Sequence, residues 1–315
     1  MKFKIIIYAL CVLSVNLAAD FNQDWQQMQK IYGELQQEEP LHPEASVFIY
    51  PYWQDKRHGI AQDIIHTNPD QKFLMKSHIP GHMIRMGVTA TSAYEVAYLS
   101  NNISANTKAL LAKFQETTIG GIPWDCHHFN CSINSLQMLF YLAKIVENKN
   151  HLSIKTVVEF GGGFGALAHA TKQIIPDSTY FIIDLPELIA MQYIYLKTSL
   201  PLSNLFVHTT LPDYFEPNAV HLIPIYLFSE FKLHADVFVS TFAITETTLA
   251  AQNKVLEKNF FDASLSYIVG QQLHGNPGWE DPAITINGMN QCYASIYYAR
   301  FHNMSVNAFE MIGKK

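Results

Sequence analysis

The stretch Thr156-Val-Val-Glu-Phe160-Gly-Gly-Gly-Phe-Gly165-Ala-Leu-Ala168 decides the fold. Thr156 to Phe160 is β-branched and apolar, a short glycine-rich run follows, and Ala166 to Ile175 has helical composition. Strand, glycine loop and helix in that order form the first half of a βαβ unit. Tyr180 to Asp184 supplies the next strand and Glu187 to Ser199 the next helix. Leu205 to His208, Asp236 to Ser240 and Leu265 to Val269 are further expected strands, with a helix from Thr247 to Phe261 and a final antiparallel strand over Ser305 to Ile312. Strands alternating with helices predict an α/β fold, a mostly parallel sheet covered on both faces.

Upstream of residue 150 the pattern is helical. Phe21, Trp25, Met28, Ile31 or Tyr32, and Leu35 recur every three or four residues, one face of a helix that Pro40 and Pro43 end. Ala93 to Leu99, Thr107 to Phe114 and Ser132 to Glu147 are expected to be helices, the last capped by Ser132. Residues 1–19 read differently: Lys2 and Lys4, an apolar run from Ile5 to Val15, then Asn16-Leu-Ala-Ala19. A basic start, a short apolar core and small terminal residues are the parts of a secretory signal peptide or an N-terminal anchor. The run is shorter than the roughly 20 residues a membrane span needs. Three regions are therefore expected: 1–19, a mainly helical 20–150, and a nucleotide-binding 151–315.

Composition narrows the partner. In 315 residues, 49% are hydrophobic and only 15% charged, which excludes a disordered chain, and four cysteines exclude a disulfide scaffold. A net charge of −6 with no basic run argues against nucleic acid, whose phosphates need clustered Lys and Arg. A small-molecule or glycan partner is expected, with no stable membrane insertion once the leader is removed.

Glycines after a strand let the backbone turn sharply and let a ligand approach, and the helix N-terminus offers N–H groups to polar atoms. Asp184 stands 23 residues beyond Gly161, where an acid receives ribose hydroxyls in nucleotide-binding βαβ folds. Gly161, Gly163 and Ala166 also satisfy the dinucleotide pattern, but no Gly-Lys-Ser/Thr ending is present for a triphosphate. Glu159 separates the remaining ligands. A carboxylate two residues before the first glycine suits a cationic sulfonium and an α-amino group, and repels a pyrophosphate. S-adenosylmethionine is the expected cofactor, and an NAD-dependent oxidoreductase is the alternative.

Val157-Val-Glu-Phe-Gly-Gly-Gly-Phe-Gly-Ala-Leu-Ala168 and Phe181-Ile-Ile-Asp-Leu-Pro186-Glu-Leu, behind a helix-rich segment, resemble the bacterial sugar O-methyltransferases. The resemblance runs from about Trp124 to Gln272. It implies the Rossmann-like sheet of class I methyltransferases over 151–315, an acceptor-side region over 20–150, and methyl transfer to a sugar or other small hydroxylated acceptor. Glu159, Gly161, Gly162, Gly163 and Gly165 would then line the methionine end of the cofactor, and Asp184, with Leu185 beside it, would hold the ribose. Of the family's Asn-Thr-x-Ser-x-x-Glu-Met stretch, Ser240 to Thr247 keeps Thr241 and Glu246. A methyltransferase-fold binding protein that has lost catalysis is the alternative this departure leaves.

Transfer to an alcohol needs a group that takes the hydroxyl proton. Glu246, just past a strand end, is the expected base or hydroxyl-orienting group, the alternative being a Glu placed for the helix dipole. Trp124-Asp-Cys-His-His-Phe-Asn-Cys131 is expected to be a loop over the crevice, with His127 or His128 contacting substrate or acting as base, the equal alternative being a solvated or core-satisfied pair. Zinc spacing is not met there, so no metal is expected. His274 to Trp279 is expected to be a turn closing over the acceptor, and Tyr293, Tyr297 and Tyr298 are expected to share a helix with Arg300. The leader implies export, whereas S-adenosylmethionine implies the cytoplasm or a host cytosol.

Overall fold

A computed structural model of the chain describes residues 2–76, 78, 83, 84, 90–126, 129–200, 204–271, 283–301 and 308–315. The helices are α1 (Lys2–Glu38), α2 (Pro51–His66), the single turn α3 (Phe73–Lys76), α4 (Ala90–Asn101), α5 (Ala105–Leu111), α6 (Ile133–Asn148), α7 (Ala166–Ile174), α8 (Pro186–Ser199), α9 (Leu249–Glu257) and α10 (Ala283–Cys292). The strands are β1 (Thr156–Phe160), β2 (Thr179–Asp184), β3 (Leu205–Val207), β4 (Val220–Pro224), β5 (Val237–Thr241), β6 (Leu265–Gln271), β7 (Ser295–Phe301) and β8 (Ala308–Lys314). They form one sheet in the order β3-β4-β2-β1-β5-β6-β8-β7. All pairs are parallel except those of β8, which runs antiparallel between β6 and β7.

The order follows from burial. Val157, Val158, Phe181, Ile182, Leu222, Ile223, Val237, Phe238 and Val239 are all buried. Strands apolar on both faces must be covered on both, and the intervening helices do so. The chain leaves β1 toward β2 on one side and returns to β5 on the other, so the strand order reverses at β1. In such sheets the crevice beyond the strand C-termini opens at that reversal. Glu159, in β1, faces Ile182 of β2 and Val239 of β5 in the ladder, which puts it beside the crevice floor.

The helical N-terminal part shares one apolar core with the sheet. Phe21, Trp25, Met28, Tyr32 and Leu35 are buried on one face of α1, as their spacing requires, and α1 lies along α8. Pro40 stands just past the end of α1 in a 3-10 turn, and a second such turn begins at Pro43. Lys2 to Glu38 is one uninterrupted helix, so the backbone makes no break at Ala19. Among the described residues no helix is long and apolar enough to cross a membrane. Ser132 caps α6, its hydroxyl accepting the Ser135 N–H at 3.0 Å.

Three expectations on the chain path need correction. Val220–Pro224 is an additional buried strand whose five apolar and imidazole-bearing residues carry no alternation. The helix expected to reach Phe261 stops at Glu257, and Asn259 to Asp262 then take positive φ. Tyr297, Tyr298 and Arg300 are on β7, not a helix, and Tyr293 follows α10. The run Ser295-Ile-Tyr-Tyr-Ala-Arg-Phe301 is rich in residues that fit a pleated surface, and pairing with β8 overrides any helical spacing. The final antiparallel strand begins at Ala308 and ends at Lys314. Its Glu310 meets Lys144 of α6 at 3.3 Å, with the ammonium 4.2 Å from the Tyr98 ring centre, which ties the helical part to the terminal hairpin.

Candidate active site

A cleft of about 330 Å³ opens at the C-terminal ends of β1, β2, β5 and β6. Its floor is Glu159 to Phe164, and one end is Ile183 to Leu185 with Leu188 and Ile225. The opposite side carries Thr241 to Ala243, Glu246, Thr247 and Gln271. Phe48, Trp53, Met83 and the α6 residues Asn134, Gln137, Met138 and Tyr141 complete it from the helical part. The sheet reversal and the helical region thus bound the same cavity.

The glycine loop is built by close approach. Gly161 has φ +78°, and a Cβ there would stand 2.0 Å from the Ala243 Cβ. That glycine is demanded by the β5 loop packing across β1. At Gly163, with φ +58°, a Cβ would meet only the Met83 sulfur, at 3.8 Å, so this position is open toward the cleft. Gly165, with φ +96°, backs onto Leu196 of α8 and is not among the cleft residues.

Asp184 straps this loop. Its Oδ2 accepts the Gly162 N–H at 2.8 Å and the Gln192 amide at 2.8 Å, and its Oδ1 accepts the Leu185 N–H at 2.8 Å. Gln192 also donates to the Gly163 carbonyl at 2.9 Å. Burial pushes the Asp184 carboxyl up to about 7, against the pull of these donors. Gln192 was absent from the sequence expectations. Its signal was available: it is the one amide in the apolar run Leu188-Ile-Ala-Met-Gln192-Tyr-Ile-Tyr-Leu196, and it is fully buried.

Glu159 is 1% exposed, and its Oε2 accepts the Tyr180 hydroxyl at 3.0 Å. Burial pushes it up to about 8, and Asp184 nearby adds to the rise. Two acids set side by side in a dry floor favour a ligand that brings positive charge.

The β5 side is held by Ser240. Its hydroxyl donates to the Phe160 carbonyl at 2.9 Å and accepts the Ile244 N–H at 3.1 Å, pinning the turn Ala243–Glu246 to the end of β1. Glu246 faces the cleft from this turn. Gln271, the last residue of β6, donates to its Oε1 at 3.1 Å, and Trp53 of α2 also hydrogen-bonds the carboxyl. Burial pushes Glu246 up to about 8. Trp53 and Gln271 are 218 residues apart in the chain and only the fold brings them to one carboxylate.

His127 and His128 lie outside the described residues, as does the turn from His274 to Trp279. The flanking Cys126 and Cys131 exchange backbone hydrogen bonds at 2.9 and 3.3 Å. Among the described residues no three His, Cys, Asp or Glu side chains converge as a metal site.

A family model described as O-methyltransferase domain matches residues 125–214. No curated protein sequence matches the chain. Among solved structures, the small RNA methyltransferase HEN1 is 13% identical, over 55% of this chain and 24% of that one, with a TM-score of 0.39. The O-methyltransferase NcsB1 of neocarzinostatin biosynthesis, solved with S-adenosyl-L-homocysteine and 1,4-dihydroxy-2-naphthoic acid, is 14% identical over 57% of this chain and 56% of that one, with a TM-score of 0.37. The S-adenosylmethionine-dependent methyltransferase SibL is 9% identical over 84% of this chain and 76% of that one, with a TM-score of 0.40. The chain spans less than two thirds of the first two. The segment from Asp125 to Tyr214, which holds α6, the glycine loop and the Asp184 strap, is the part of the chain that resembles an O-methyltransferase domain.

Proposed function

We propose that the chain transfers a methyl group from S-adenosylmethionine to a hydroxyl of a small acceptor, with sugars as the first acceptor class to examine. The observation that carries this reading is the placement of Glu159, Asp184 and Glu246 around one cleft at the reversal of the sheet. The residues fit the cofactor. Glu159 is a buried carboxylate for an ammonium, Gly163 leaves room for a ligand, and the remaining lone pairs of Asp184 suit ribose hydroxyls. A dinucleotide reading is disfavoured because its pyrophosphate would meet Glu159.

Bound S-adenosylmethionine supplies an electrophilic methyl group on a sulfonium centre. The protein's part is positioning and proton removal. Asp184 and Gln192 hold the loop rigid, Glu159 orients the amino-acid end, and apolar walls from Phe48, Phe160 and Phe242 exclude water. Glu246, in its carboxylate form, accepts the acceptor hydroxyl's proton, while Gln271 and Trp53 fix the orientation of its oxygens. The helical region, 20–150, serves as the acceptor-side cover in this reading, and 151–315 as the cofactor domain.

Calorimetric titration of the full chain with S-adenosylmethionine and S-adenosylhomocysteine, with NAD as control, tests this. Binding of both sulfur compounds and not of NAD is expected, followed by methyl transfer in a screen of sugars and other hydroxylated compounds. NAD binding without either sulfur compound would establish the oxidoreductase reading instead. Cofactor binding with no transfer to any acceptor would favour a non-catalytic binding protein.

A further inference from the structure

Gln137 is 7% exposed, lines the cleft, and makes no hydrogen bond to any described residue. Its amide is left facing the cleft, with both N–H groups and its oxygen open to a ligand. It belongs to α6, which packs on α7. The N-terminus of α7 reaches the same cleft through Ala166 and Leu167, and its N-cap, Gly165, offers no side chain to the first-turn N–H groups. A helix N-terminus left without a side-chain cap favours an anionic group. Glu159 meanwhile faces the cleft as an acid that favours a cation.

One end of the expected cofactor carries both charges, an α-ammonium and an α-carboxylate. On the reading given above, we propose that Gln137 and the N-terminus of α7 bind the α-carboxylate of the cofactor's amino-acid end, opposite Glu159, which takes the α-ammonium. The amide of Gln137 donates two N–H groups and adds no charge, so it pairs with a carboxylate while leaving Glu159 without a competing cation. Gln137 then discriminates ligands that possess the amino-acid end from those that have lost it.

The test compares two ligands that share adenosine and a thioether: S-adenosylhomocysteine, with the amino-acid end, and 5′-methylthioadenosine, without it. Both are titrated into the full chain and into Gln137→Met, which keeps the side-chain volume and removes the donors. The variant is expected to lose S-adenosylhomocysteine affinity by ~10–100-fold, the worth of a hydrogen bond to a charged group. Its affinity for 5′-methylthioadenosine is expected to stay within about twofold, since that ligand has no carboxylate to lose. Gln137→Glu, which places a charge against the carboxylate, is expected to show the same selectivity. Equal losses for both ligands, or no loss for S-adenosylhomocysteine in either variant, would overturn the assignment. If the unaltered chain binds neither ligand, the cofactor reading itself fails.

Discussion

The two ends of the cleft are built by different means. At the glycine-loop end, the side-chain hydrogen bonds of Glu159, Asp184 and Gln192 join residues at most 29 positions apart, within β1, β2, the loop between β1 and α7, and α8. The opposite end gathers Glu246, Gln271 and Trp53 from a β5 turn, a β6 terminus and an N-terminal helix. Local assembly makes the side-chain bonds of the first end depend mainly on one stretch of chain, though Gly161 and Phe160 also meet the β5 side. Long-range assembly makes the second end depend on how the helical region docks on the sheet. On the proposed function this is a division of labour: the first end would bind the constant ligand and the second would be free to be reshaped for an acceptor.

The comparison breaks first at Glu246. Glu246→Gln keeps the shape and the Gln271 contact but removes the proposed base, so turnover is expected to fall by roughly 10²–10⁴-fold with S-adenosylhomocysteine affinity within about twofold. A steady-state assay beside calorimetry reads both, and unchanged turnover would remove Glu246 from the chemistry. The reciprocal change is Asp184→Ala, which frees the Gly162 N–H and the Gln192 amide and removes the proposed ribose acceptor. A loss of ~100-fold or more in S-adenosylhomocysteine affinity is expected from two or more charge-assisted hydrogen bonds. Retained affinity would mean that the strap serves the fold alone.

Proton linkage sharpens the comparison further. Glu159, Asp184 and Glu246 sit at about 8, 7 and 8, above the 4.5, 3.8 and 4.5 of free carboxyls. Groups raised in the folded state bind extra protons there, so their stabilisation is complete below about pH 4 and is lost as pH rises through 7 to 8. The ligand-free chain is therefore expected to melt at lower temperature at pH 9 than at pH 6, with S-adenosylmethionine narrowing the gap by pairing with Glu159. A melting temperature that rises over this interval would contradict the burial of these acids. For turnover the sign is opposite: Glu246, as the proposed base, acts only when deprotonated, so the rate is expected to climb with pH through about 8.

The smallest effect is expected at Trp53. Trp53→Phe removes a donor that favours the Glu246 carboxylate, so the pH midpoint of turnover should move upward while cofactor affinity holds. A pH–rate profile reads the shift. A midpoint that stays in place would mean that Gln271 alone sets the state of Glu246.

The same contrast explains what was legible in the sequence. The run from Thr156 to Asp184 announced its strand, loop, helix and terminal acid in order because each is a local choice of backbone conformation, and the βαβ unit follows from them. Gly161, Gly163 and Asp184 could be assigned a shared crevice for the same reason. The reasons for particular glycines could not: Gly161 answers to Ala243, 82 residues away, and Gly165 to Leu196. Nor could β4 or β7, whose apolar and aromatic runs have no period of their own and become strands by pairing.

By itself, then, the sequence determined the α/β class, the glycine loop, the acid at the end of β2 and the acid at 246, all of which rest on short-range pattern and side-chain chemistry. Tertiary structure alone decided that Glu246 is held by Gln271 and Trp53, that Gln192 ties Asp184 to the loop, and that Gln137 faces the cleft without a hydrogen bond to any described residue. Those contacts join side chains that no spacing rule connects. They exist because the apolar face of α1 and the buried strands must share one core, and closing that core carries α2 and α6 over the open end of the sheet.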